Sequence, residues 1–121
     1  MKQPMRTLMP SAILIIILGL SSCSTSSNLY SWYNYEQVTY AYTQSQSPER
    51  LSDVVETYKK MIDRQVASRK TPPPGICAEY GYLLVKTGQK ELGLQMLAKE
   101  VELYPESTVF INRIIEQLKN K

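Results

Sequence analysis

Stripes of apolar residues at helical spacing constrain the fold of this 121-residue chain more than any other feature. The clearest stripe follows Ser47-Pro48-Glu49, in which Ser is a typical N-cap, Pro suits the first helical position and Glu suits the first turn. Its members recur at i, i+3, i+4 and i+7. They are Leu51, Val54, Val55, Tyr58, Met61, Ile62 and Val66. The pattern predicts a helix whose charged residues, such as Lys59 and Asp63, face water.

Proline and glycine divide the chain that follows into three further helices. Thr71-Pro72-Pro73-Pro74-Gly75 ends the first stripe, because successive prolines donate no backbone hydrogen bond and bias their predecessors away from the α region. We expect helices over residues 76–87, 89–104 and 106–119, separated by Gly88 and Pro105. Their expected inward residues are Ile76, Tyr80, Leu83, Leu84, Leu92, Met96, Leu97, Val101, Phe110, Ile111, Ile114, Ile115 and Leu118.

An aromatic segment at residues 29–43 precedes these helices. Spacings of three, three and four residues predict that it is a helix with one stripe of large side chains: Trp32, Tyr35, Val38 and Tyr42. The alternation of its aromatic residues also suits a strand. No strand pattern competes beyond this segment. The predicted fold class is therefore all-α, with about five helices in antiparallel hairpins.

The start of the chain is typical of a secretory signal. Residues 1–10 contain Lys2 and Arg6 but no acid, and an apolar run follows at 12–20. This run has about half of the ~20 apolar residues that a transmembrane helix needs. Leu20-Ser21-Ser22-Cys23 resembles the bacterial lipobox, in which an aliphatic and two small residues precede a cysteine that accepts diacylglycerol.

The lipobox resemblance implies cleavage between Ser22 and Cys23 and lipidation of Cys23. The expected organisation is a signal peptide at 1–22, a lipidated cysteine with a polar tether at 23–28, and a helical domain at 29–121. Lipoprotein sorting associates aspartate after the cysteine with the inner membrane, so Ser24 favours the outer membrane, facing the periplasm. The alternative is an ordinary signal peptide or N-terminal anchor helix with an incidental cysteine.

Composition argues against several classes of function. The absence of histidine removes Ser-His-Asp triads, Cys-His dyads and zinc sites that use imidazole. Fourteen basic residues oppose 11 acidic ones. Lys2 and Arg6, which lie in the predicted signal peptide, account for most of this excess of basic residues. The rest of the chain has no basic stripe of the kind that binds nucleic acid. We expect no cofactor, no metal and no nucleic-acid partner.

Residues 74–105 resemble one tetratricopeptide (TPR) repeat of about 34 residues. When Pro105 is placed at the closing proline, Gly81 and Gly93 occupy the small positions where the two helices of the repeat cross closely. The resemblance implies TPR-like antiparallel hairpins, with the last helix as a cap. The large positions are held by Tyr80, Leu84 and Leu97. Two residues depart from the repeat pattern: Cys77 stands where Trp is common, and Glu100 stands where Ala is common.

The layout as a whole resembles a family of short, uncharacterised bacterial lipoproteins that contain a domain of unknown function. The resemblance rests on the lipobox and on residues 29–35, 73–75, 78–84 and 103–107. It covers nearly all of the mature chain and supplies no catalytic residues. It implies proximity to lipoproteins that resemble the curli secretion pore, and hence a role in an outer-membrane secretion-type assembly.

Polar and reactive side chains offer few candidates for chemistry. Once Cys23 is acylated, Cys77 is the remaining thiol; it is either reactive or disulfide-linked, or buried, and we favour burial. Five carboxylates of the later helices are expected to lie on solvated faces rather than to form an acid/base pair: Glu79, Glu91, Glu100, Glu102 and Glu106. We therefore predict that the protein is not an enzyme.

The aromatic residues between Tyr30 and Tyr42 have three interpretations: core packing, a protein interface, or a platform for glycans. Six aromatic rings are too many for the single buried stripe of one helix, so some of them are expected to be exposed to solvent. The expected partner-binding residues are Trp32, Tyr33, Tyr35, Tyr40 and Tyr42. The function we expect is a lipid-anchored adaptor that binds another envelope protein or a second copy of the chain. The alternative is a lipoprotein that binds peptidoglycan or another glycan.

Overall fold

The computed structural model describes residues 28–120. Five α-helices lie in this part of the chain: α1 (Tyr35–Gln44), α2 (Pro48–Asp63), α3 (Ile76–Lys86), α4 (Lys90–Leu103) and α5 (Thr108–Lys119). A short 3-10 helix, Pro105–Ser107, leads into α5. Residues 28–120 contain no strand, which confirms the all-α prediction. The predicted signal peptide, Cys23 and the tether up to residue 27 lie outside the described residues.

Helix α2 begins as predicted and ends earlier than its apolar stripe. The Ser47 hydroxyl accepts a hydrogen bond from the Arg50 N–H at 3.3 Å, and Pro48 is the first helical residue. The helix stops at Asp63, so the prediction that Val66 faces inward is wrong: its side chain is 75% exposed. The Val66 N–H bonds to the Ser31 hydroxyl at 3.1 Å instead of extending the helix.

The aromatic segment is helical only in its second half. Residues 29–34 precede α1 and run beside the loop that follows α2. The Arg69 N–H, for example, donates to the Leu29 carbonyl at 2.9 Å. The prediction that Trp32 lies on a helix is therefore wrong, because it stands before α1, where its side chain is 47% exposed. The other three residues of the predicted stripe, Tyr35, Val38 and Tyr42, are half-buried against the core.

Two clusters of buried side chains form the core. The first joins α2 to α3 and consists of Val54, Tyr58, Met61, Ile76, Tyr80 and Leu84. The second joins α4 to α5 and consists of Leu97, Ile111 and Leu118. Two residues predicted to be inward, Leu92 and Phe110, are exposed instead. Both lie near the start of their helices, at the edge of the packed surface.

Helices α3 and α4 touch through their backbones. A Cβ atom added to Gly93 would lie 2.5 Å from the carbonyl oxygen of Gly81, and one added to Gly81 would lie 2.6 Å from that of Gly93. Real side chains do not approach backbone atoms so closely. The predicted close crossing at these two glycines is therefore confirmed.

In residues 28–120, every helix is too short or too polar to cross a membrane.

Candidate functional site

The five aromatic residues predicted to bind a partner do not all share one surface, although Trp32, Tyr33 and Tyr35 line one cavity of about 310 Å³. Tyr35 and Tyr42 are half-buried against the first core cluster. Tyr40 is exposed on α1, whereas Trp32 and Tyr33 are exposed on the segment before it. Part of the predicted set therefore belongs to the core, and the exposed members lie in two places.

Two of the packed tyrosines share one carboxylate. The hydroxyls of Tyr35 and Tyr58 both donate to Oε2 of Glu79, at 2.7 Å and 3.0 Å. Burial, followed by the bond to Glu79 and its charge, raises the pKa of Tyr35 to about 12. Burial and the same charge raise the pKa of Tyr58 as well. Glu79 thus ties α1 and α2 to the first turn of α3.

This arrangement predicts a loss of stability at alkaline pH. Because the pKa of Tyr35 is above its ordinary value of 10 in the folded state, the protonated hydroxyl stabilises the fold below about pH 10. That contribution is lost as the pH rises through about 12. We expect tyrosinate absorbance and helical circular dichroism to change together over this range.

The matched carboxylate control is Glu91, which is exposed in the first turn of α4. Glu79→Gln removes the charge and should move the alkaline transition to lower pH, whereas Glu91→Gln should leave it in place. Identical transitions in the two variants would contradict this role of Glu79.

Glu100 is buried, which corrects the expectation that it lies on a solvated face. Only 2% of its surface is exposed, and Oε1 accepts a hydrogen bond from the Gly75 N–H at 2.7 Å. Gly75 has φ +92° and is the N-cap of α3, so the carboxylate lies at the positive end of that helix. Oε2 is buried too, and no side chain or backbone group in residues 28–120 bonds to it.

Cys77, the second residue of the same helix, is buried, as predicted. Its side chain is inaccessible to solvent. Burial, with a smaller contribution from the Glu100 charge, raises the pKa of the thiol to about 11. The thiol is therefore protonated at neutral pH and is a poor nucleophile and a poor metal ligand.

A surface trough runs between α3 and α5. Both helices pack on α4 and make little contact with each other. A cavity of about 410 Å³ at one end is lined by Ala78 of α3 and by Phe110 and Ile111 of α5. A second cavity, of about 470 Å³, is lined by Tyr82 and Val85 of α3 and by Ile114 and Leu118 of α5. Because the same two helices line both cavities in sequence order, we treat them as one feature, the α3–α5 trough.

The trough combines apolar walls with opposite charges at its ends. Glu79 and Glu106 line the first cavity, and Lys86 and Lys90 line the second. The rings of Tyr82 and Phe110 are exposed along it. The sequence prediction missed this site because it assigned Phe110 to the core. No signal in the sequence identified it, because an apolar stripe does not show how much of α5 the helix α4 covers.

In residues 28–120, no three His, Cys, Asp or Glu side chains are grouped as a metal site would require.

Comparison with known proteins gives one match. The model of a family described as a domain of unknown function, DUF4810, matches residues 29–114. No curated protein and no solved structure matches the chain.

Proposed function

We propose that this chain, which belongs to the DUF4810 family, a domain of unknown function, is a lipid-anchored adaptor of the bacterial envelope. In this proposal Cys23 holds the chain at the outer membrane, facing the periplasm, and the α3–α5 trough binds a segment of another envelope protein. The lipobox-like Leu20-Ser21-Ser22-Cys23 supports the anchor. The proposed role is non-enzymatic and belongs to a secretion-type assembly, as the resemblance to the lipoprotein family implies.

The observation that carries the adaptor proposal is the apolar trough with two exposed rings. Aromatic side chains are enriched among the residues that dominate protein–protein binding energy. Tyr82 and Phe110 provide such rings, and Ile111 and Ile114 provide an apolar floor between them. An exposed apolar surface of this kind is typical of an interaction site.

The close crossing of α3 and α4 supports the TPR-like interpretation of residues 74–105. In that interpretation, α5 stands where the first helix of a following repeat would stand. The trough then corresponds to the surface between the first helices of successive repeats, which suits an extended or helical peptide.

The end charges define the chemistry of the partner. The partner segment would have an apolar stripe, with a cation at one end and an anion at the other. Its cation would contact Glu79 and Glu106, and its anion would contact Lys86 and Lys90. The glycan-binding alternative has less support, because Tyr35 and Tyr42 pack against the core and are not free to stack on a sugar.

Crosslinking from the trough tests this proposal. A photoreactive phenylalanine analogue at position 110 of the full-length chain should form one discrete adduct in intact cells. Position 109 is the matched control, because Val109 is 67% exposed and Phe110 is 66% exposed, but Val109 does not line the trough. Adducts of equal yield from both positions would contradict a specific site.

Affinity for the crosslinked partner provides the quantitative test. Phe110→Ala should weaken binding by roughly 30-fold, the effect of losing an interface residue worth about 2 kcal/mol. Val109→Ala should leave the affinity unchanged. Titration calorimetry with the purified partner measures the affinity of both variants. Equal affinities of Phe110→Ala and Val109→Ala would show that the trough is not the binding site.

A further inference from the structure

The segment that follows the predicted tether is fixed to the loop after α2. The Ser31 N–H donates to Oε1 of Gln65 at 2.8 Å, and Nε2 of Gln65 donates back to the Ser31 carbonyl at 3.1 Å. The Ser31 hydroxyl accepts from the N–H groups of Val66 and Ala67 at 3.1 Å and 3.0 Å. Residues 28–33 and 64–70 therefore form one ordered surface, which we call the tether-end surface.

The tether-end surface exposes large apolar side chains. Leu29, Trp32, Tyr33 and Val66 are all exposed. Several of them line an open groove of about 740 Å³, together with Tyr30 and Lys70. The backbone groups just described are bonded within the surface, so the side chains, rather than unpaired amides, determine what this surface can contact.

The same surface is locally basic. Arg64, Arg69 and Lys70 are exposed, and residues 28–33 and 64–70 contain no aspartate or glutamate. Two acids border the surface: Asp63 shares a cavity with Arg64, and Glu36 shares one with Trp32 and Tyr33. The Arg69 guanidinium lies 6.0 Å from the centre of the Tyr30 ring. The nearly balanced charge of the mature chain therefore conceals a concentration of cations beside exposed tryptophan and tyrosine.

The predicted tether is too short to move this surface far from a membrane. Four residues lie between Cys23 and Asn28, where the described structure begins, so five Cα–Cα steps join the two. At about 3.5 Å per residue, a fully extended chain of that length spans roughly 17 Å. If Cys23 is lipidated, as the proposed function holds, the tether-end surface stays within that distance of the lipid attachment point.

We propose that the tether-end surface lies on the surface of an anionic phospholipid bilayer. Leu29, Trp32 and Val66 enter the interfacial region, where tryptophan and tyrosine are favoured. Arg64, Arg69 and Lys70 contact lipid phosphates, since cationic side chains near an anionic membrane surface are attracted to it. This docking is a second membrane contact besides the lipid, and it leaves the α3–α5 trough to the protein partner.

Trp32 is the single tryptophan of the chain, so its fluorescence reports on this surface alone. The purified full-length lipoprotein is reconstituted into vesicles of phosphatidylcholine and phosphatidylglycerol, with and without bromine on the acyl chains. Bromine quenches only tryptophan that contacts the lipid. We expect a blue-shifted emission and strong quenching by the brominated vesicles, and weaker quenching when phosphatidylglycerol is omitted.

Charge reversal separates docking from simple proximity. The double variant Arg69→Glu, Lys70→Glu should lose most of the quenching, whereas Arg113→Glu, Lys119→Glu, which changes two exposed residues of α5, should keep it. Equal quenching in the two variants would overturn the assignment to an anionic surface. A chain that floats with the vesicles but is not quenched would overturn the docking and leave the anchor and the trough intact. A chain that does not float would overturn the anchor together with the docking.

Discussion

Replacing Gly93 with alanine should destabilise the protein by about 3 kcal/mol or more, at or above the upper end of the usual cost of overpacking. The added methyl group would meet the carbonyl oxygen of Gly81 and a methyl carbon of Val85, each at 2.5 Å. A backbone oxygen cannot rotate away, so α3 and α4 would have to separate and open the core between them. Urea denaturation followed by circular dichroism measures the loss.

Gly88 provides the matched control for this substitution. It has φ +92° and open space around the position of a Cβ atom, so Gly88→Ala introduces backbone strain without a collision. We expect Gly88→Ala to cost about 1–2 kcal/mol, the usual penalty for a left-handed residue with a side chain. Equal losses at Gly88 and Gly93 would contradict the close crossing as the source of the effect.

Replacing Cys23 with alanine should abolish membrane partitioning and leave an unprocessed or soluble precursor. The acyl chains contribute ~0.8 kcal/mol for each buried CH₂, so losing them removes far more binding energy than the tether-end surface supplies. Palmitate labelling and detergent partitioning of the full-length chain measure the result.

The second cysteine is the matched control for the anchor. Cys77 is buried inside the helical domain, so Cys77→Ala should retain the palmitate label and the membrane fraction. If Cys23→Ala kept both as well, the lipoprotein proposal would be wrong.

Local signals predicted most of the helical fold. The prolines and glycines at 72–75, 88 and 105 separate α2, α3, α4 and α5 within a few residues of the predicted bounds. The sequence also predicted the N-cap at Ser47 correctly. These signals act within one or two turns of the chain, so a single sequence is enough to reveal them.

Contacts between distant residues account for what the sequence did not reveal. Trp32 and Val66 both fit a helical stripe, but the bonds between Ser31 and Gln65 draw their segments out of the helices. Glu100 was expected in solvent because no sequence pattern indicates that it meets the Gly75 N–H across 25 positions. Phe110 was placed in the core because its stripe gives no measure of how much of α5 the helix α4 can cover.

The burial of Cys77 has a consequence for the biogenesis of the protein. On the proposed route, the chain crosses the inner membrane unfolded and enters an oxidising compartment with this thiol exposed. Packing of α3 against its neighbours then closes off the sulfur, so rapid folding is its protection against mispairing with other exported chains. A variant that folds slowly would therefore fail first as a disulfide-linked aggregate during export, before any defect in partner recognition could be observed.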